Sequence, residues 1–129
     1  MAEAEAAIKS RLETQVSNLA SATSIWAVLA PSTATRPYLT FEVLSETPTN
    51  AMGADTTPTE CYFQVSIFAD TFLEIVNITN DVRSALTRYS GTTNSVVVQD
   101  IFYEQRNDVF TEQELTYQRV LDFRMYYEE

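Results

Sequence analysis

The chain has 129 residues, enough for one domain with a core of its own and too few for two. Apolar residues make up 45%, a globular composition, and the formal net charge is -10, from 18 acids against 8 bases. That balance excludes the Lys/Arg clusters that hold a phosphate backbone. The single cysteine excludes an internal disulfide, and no apolar run nears the ~18 residues of a membrane span.

In chain order, Ala2 to Ala20 is predicted helical, with Ile8, Leu12, Val16 and Leu19 on one stripe and Glu3 and Glu5 suiting the first turn. This N-terminus has neither the positive nor the apolar region of a signal peptide, so the expected setting is cytoplasmic. Ile25 to Leu29 is a short apolar run that periodicity alone leaves open between a strand and a helical turn. A loop from Pro31 to Pro37 leads into a strand from Tyr38 to Ser45, with Leu39, Phe41 and Val43 facing inward. Glu46 to Thr59 is a polar loop, long for a hairpin connection and therefore a candidate for function. The return strand, Glu60 to Ala69, turns Cys61, Phe63, Val65 and Ile67 inward, which makes the thiol a buried and inert one.

Thr71 and Glu74 are spaced as a capping box at the start of a second helix. Its buried stripe is predicted as Phe72, Ile75, Val76, Thr79, Val82, Leu86 and Tyr89, and Gly91 as its C-terminal cap. After a polar turn from Gly91 to Asn94 comes a Val-rich strand, Ser95 to Glu104, and a charged turn, Gln105 to Glu112. The last strand, Leu115 to Tyr127, sets apolar Leu115, Tyr117, Leu121, Phe123 and Met125 on one row and polar Thr116, Gln118, Asp122 and Arg124 on the other, and lacks Pro and Gly. At ~3.3 Å per residue it reaches ~40 Å, which marks it as the backbone of the sheet. The fold class is therefore α+β: an antiparallel sheet of four to five strands, both helices on one face, in the order α-(β)-β-β-α-β-β. The whole chain, 1–129, reads as one domain.

Catalytic chemistry finds little to work with. Without histidine, the usual triads, histidine metal ligation and the commonest general base are gone. Two glycines, at 53 and 91, build no phosphate-cradling loop. Asp100, Glu104 and Asp122 lie on outward strand faces, but Arg106, Arg119 and Arg124 share those strands, and cross-strand ion pairs explain them more simply. Trp26 reads as a core residue. Tyr126 and Tyr127, followed by Glu128 and Glu129, read either as a docking tail or as a strand end with one ring in and one out. No enzyme, cofactor or metal is expected.

Three stretches together resemble a known family. Pro31, then Pro37-Tyr38-Leu39-Thr40-Phe41-Glu42, looks like the APxxxxxPYVVFQ opening of a strand in phage tail-completion proteins. Phe63 to Thr71 (FQVSIFADT), followed by Asp81-Val82-Arg83-Ser84-Ala85-Leu86, is similar to their VQVDVWA strand and a helix ending VRAAL. Arg119 to Tyr127 (RVLDFRMYY) is similar to their RSLDFRVWY ending. The resemblance spans Ile25 to the C-terminus. It departs from the family in the Ala/Glu-rich first helix, which matches only in being helical.

The resemblance implies a tail-terminator (tail-to-head joining) protein of a long-tailed phage or phage-derived particle: a homohexameric ring of the virion neck. Its implied partners are the tail-tube protein on one side and the head-tail connector or stopper on the other, with DNA passing through unbound and no membrane involved. An acidic or neutral lumen suits that passage. The residues expected to make contacts are Asn50, Met52 and Asp55 in the long loop, Arg106 and Asp108 in the charged turn, and Tyr126, Tyr127 and Glu128 at the C-terminus. A head-completion or stopper ring and a small non-viral ligand-binding domain are the alternative readings.

Overall fold

A computed structural model describes residues 4–15, 25–27, 37–48, 58–93, 96–111 and 116–128. Two helices, α1 (Ala4–Gln15) and α2 (Phe72–Leu86), lie on one face of a sheet. Its strands are β1 (Ile25–Ala27), β2 (Tyr38–Pro48), β3 (Thr59–Ala69), β4 (Gly91–Thr93), β5 (Val96–Thr111) and β6 (Thr116–Glu128). They run in the order β1-β2-β3-β6-β5-β4. Every pairing is antiparallel except that of β1 with β2. The fold is α+β, as the patterning predicts.

The C-terminal strand is the spine of the sheet. β6 pairs with β3 from Tyr117↔Ala69 to Tyr127↔Thr59, and with β5 from Thr116↔Thr111 to Glu128↔Val97. An uninterrupted strand without Pro can satisfy two neighbours at once, which is why this segment takes the interior. Its odd-numbered residues Leu121, Phe123, Met125 and Tyr127 are buried beneath the helices. Phe123 stacks on Phe63 at 5.3 Å between centroids and tilts against Tyr103 at 5.6 Å. Each such ring or aliphatic chain contributes about 1.5–3 kcal/mol by leaving water.

The helices cover this face through small and branched side chains. α1 buries Ala4, Ala7, Ile8 and Leu12, while α2 buries Ile75, Ile78, Val82, Ala85 and Leu86. Arg11 Nε donates to the Ala85 carbonyl at 2.8 Å, and its guanidinium lies over the Tyr89 ring at 4.1 Å. A cation near the carbonyl end of α2 opposes that end's partial negative charge. Thr71 caps α2 as predicted: its Oγ1 accepts from Glu74 N at 3.2 Å, and the Glu74 carboxylate closes back on the cap by accepting from the same hydroxyl at 3.0 Å.

Four details differ from the sequence reading. The charged segment 105–111 is strand, because Asp108 faces Arg119 and Phe110 faces Tyr117 across β6, so salt bridge and ring stack supply the cross-strand pairs. Gly91 does not cap α2. The helix ends at Leu86 with Thr87 as its cap, Arg88 takes the left-handed turn (φ 60°), and Gly91 (φ 152°) belongs to β4, where a Cβ would meet Tyr89 Oη at 2.9 Å. Phe72 is 57% exposed, Val76 is only half-buried and Tyr89 lies beyond the helix end, so of the predicted stripe Ile75, Thr79, Val82 and Leu86 are buried, with Ile78 and Ala85 completing it. The strand ending in the polar loop continues past a bulge at Leu44 to Pro48. Val16, Leu19 and the rest of the long loop lie outside the described residues.

Candidate assembly surface

The far end of the β5–β6 hairpin and the first turn of α2 form one surface. Alternation on β6 sends Arg119 to the helix side, where it is 4% exposed. Its Nε and Nη2 donate to the two Asp108 carboxylate oxygens at 2.8 and 3.2 Å, and Nη1 donates to Thr79 Oγ1 at 3.3 Å. The Arg119–Asp108 hydrogen bond, helped by the charges of Arg119 and Arg106, holds the Asp108 carboxyl below its ordinary range. A fork so occupied fixes the hairpin against α2. Around it lie Phe72, Leu73 and Phe110, which are 57%, 68% and 45% exposed, while Val109, 51% exposed, stands opposite Gln118 on the other face of the same strand end. Tyr117 joins them, stacked on Phe110 at 4.6 Å and edge-on to Phe72 at 6.2 Å. Asp108, Phe110 and Tyr117 help to line a recess of about 250 Å³ there. Clustered exposed rings are the kind of patch with which one macromolecule meets another.

Among the described residues, nothing covers the sheet face away from the helices. The register places Glu42, Glu60, Asp122 and Glu128 on it, among Thr40, Gln64, Ser66 and Gln118. Its bases are already committed: Arg124 Nε lies 3.0 Å from Glu104 Oε1, and Arg88 Nη2 lies 3.0 Å from Asp100 Oδ2. The Arg124 contact is ionic only, off the donor axis, so this Nε makes no hydrogen bond. Gln64 and Gln105 donate to the two oxygens of Asp122 at 3.1 and 2.7 Å. Leu44, Tyr62 and Arg124 border an open groove of about 440 Å³ on this face. It is a polar, net-acidic wall.

The expected contact residues divide among these places. Arg106 and Asp108 stand on the exposed outer half of β5. Tyr126 is half-buried on the open face, where a hydrogen bond to Glu60 raises its hydroxyl above the ordinary phenol range. Tyr127 is buried on the helix side with its hydroxyl donating to Glu46, one ring in and one out. Glu128 is half-buried and accepts from Gln99 Nε2 at 2.8 Å. Asn50, Met52, Asp55 and the Trp26 side chain lie outside the described residues. Sequence reading missed the exposed rings Phe72 and Phe110, the first assigned to a core stripe and the second to a turn. Cys61 is buried as expected, and burial, with the charges of Glu46 and Glu5, pushes its thiol up to about 12.

The fold recurs in a solved structure. The chain is similar to a chain in the virion of the native gene transfer agent particle, with a TM-score of 0.74 and 15% identity over 98% of this chain and 95% of that one. No curated protein matches the sequence. The family model for tail completion protein gp17 matches residues 6–128, and the chain belongs to that family, structural proteins of phage-like virions.

Proposed function

We propose that this chain terminates the tail tube. In this reading six copies close a ring on the head-proximal end of the tube, stop its growth, and present the opposite surface to the head connector, while DNA passes through the middle. Family membership over residues 6–128 is the observation that carries it. The polar, acid-rich open sheet face supports the conduit role, because Arg88 and Arg124 there are already paired and, among the described residues, leave a passing duplex little free positive charge to bind. The exposed rings of Phe72 and Phe110, with the exposed aliphatic side chains of Leu73 and Val109 nearby, support a protein contact at one end of the subunit.

Binding to each neighbour separately tests this placement. The terminator reading expects the purified chain to bind the tail tube of its own particle without the connector present. Binding to the connector but not to tubes would move the chain to the stopper position. Binding to neither, together with a ligand-dependent rise in melting temperature, would favour the ligand-binding reading.

A further inference from the structure

The two flanks of the sheet are left incomplete at opposite ends. β1 covers β2 only from Leu39 to Phe41, so among the described residues nothing pairs with the outer edge of β2 from Glu42 to Pro48. β4 covers β5 only from Val96 to Val98, and the Arg88 amide closes the edge at the Ile101 carbonyl (2.7 Å). From Phe102 to Thr111 the outer edge of β5 has no backbone partner among the described residues. An unpaired strand edge is a template for another strand.

Resting on the ring reading, we propose that neighbouring copies join edge to edge, β5 of one subunit adding onto β2 of the next. Strand direction permits it. β2, β3, β6 and β5 alternate in direction, so a neighbour's β2 laid against β5 continues an all-antiparallel sheet. The contact is heterologous, one flank against the other, and such contacts close into rings when the rotation divides the circle.

Charge selects the register. Setting the middles of the two free stretches opposite each other puts Ser45 against Asn107, both exposed and both on the open face. One residue along, Glu46 then faces Arg106, both on the helix side, as directly opposed residues must be. A slip by two residues toward the β5 C-terminus would set Glu46 against Asp108 instead, like against like. Among the described residues of its own subunit, Arg106 has a loose ion pair, 4.0 Å from Asp108 with both side chains about half exposed, which leaves its charge open to a neighbour.

The offset of the free edges also fits a closed barrel. Ser45 is level with Phe102 through Tyr62 and Arg124, whereas Asn107 is level with Thr40 through Val120 and Ser66. The stagger per subunit is therefore about four to five residues, or ~13–17 Å, against a width of four strands, ~19 Å. That ratio tilts the strands by roughly 35–41°, inside the range of about 35–45° found in barrels. Six copies would make a barrel of about 24 strands and ~50 Å across between backbones at that spacing and tilt, with the helices outside and room for a duplex within. β1 and β4 act as stops at the two ends of the junction.

Cysteine pairing on tail tubes of the same particle tests this. Cys61 is buried with its thiol pushed to about 12, so the native thiol stays silent. A Ser45→Cys, Asn107→Cys double variant, bound to tubes and oxidised, is expected to give a ladder of covalent multimers. A mixture of the two single variants should stop at dimers, and either single variant alone should stay monomeric. In parallel, Arg106→Glu should abolish ring formation and Glu46→Arg in the same chain should restore it. Rings visible on tube ends without a ladder would overturn the edge-to-edge junction while leaving the terminator reading intact. Cross-links from the Asn107→Cys variant to tube protein would overturn it as well. Absence of any ring would take both down together.

Discussion

Arg119 is the only charged side chain buried in the core among the described residues, and its surroundings explain why it is tolerated. A buried guanidinium is costly unless its donors are used, and here Asp108 and Thr79 take three of them. Removing the carboxylate by Asp108→Ala should cost about 1–3 kcal/mol in urea unfolding, the range for a charged hydrogen bond left unmade. The same pair sets a pH dependence. Because folding lowers the Asp108 carboxyl below its ordinary value of 3.8, its contribution is fully present above that value and is lost as pH falls through the lower, folded one. Asp108→Asn should therefore lie below the parent protein in stability at neutral pH and converge with it on acidification, followed by circular dichroism. A constant gap at all pH values would contradict the assignment. Cys61 provides a simpler check: a thiol-specific reagent at about pH 8 should leave the native protein unmodified and label it on denaturation.

At the scale of elements, the strands and caps that depend on local pattern were legible in the sequence, and those that depend on partners were not. The alternation of Leu121, Phe123 and Met125, and of Cys61, Phe63 and Val65, marks β6 and β3 because burial of one face needs a period of two. The Thr71/Glu74 spacing marks the start of α2 for an equally local reason, and Thr71→Ala should cost about 1 kcal/mol of stability. By contrast, the outer half of β5 carries Arg106, Asn107 and Asp108, residues that by themselves read as a turn. They become strand only because β6 supplies Leu121, Val120 and Arg119 opposite them. Phe72 likewise falls at a helical spacing that fits the core, yet its ring stays more than half exposed, edge-on to Tyr117. Of the surface proposed for assembly, the charged members Arg106 and Asp108 were legible, whereas Phe72 was hidden by the assumption that aromatics go inside and Phe110 by its place in a segment that reads as a turn. Phe123→Ala, at the middle of the ring stack, should cost about 3–5 kcal/mol.

Across the whole molecule, the division of faces carries the functional account. One side of the sheet is buried under two helices, the other is polar and acidic, and one end exposes a patch of aromatic rings. Since Phe72 and Phe110 are about half exposed, the double substitution Phe72→Ser, Phe110→Ser should leave the melting curve close to that of the parent protein. It should also weaken binding to the partner that this end meets, which a tube-binding assay would record. The most direct test of the central claim is electron microscopy of the tail-tube protein polymerising with and without this chain. The terminator account predicts tubes that carry a ring at one end and cease to lengthen once the chain is added. Tubes that keep growing with bare ends would contradict it.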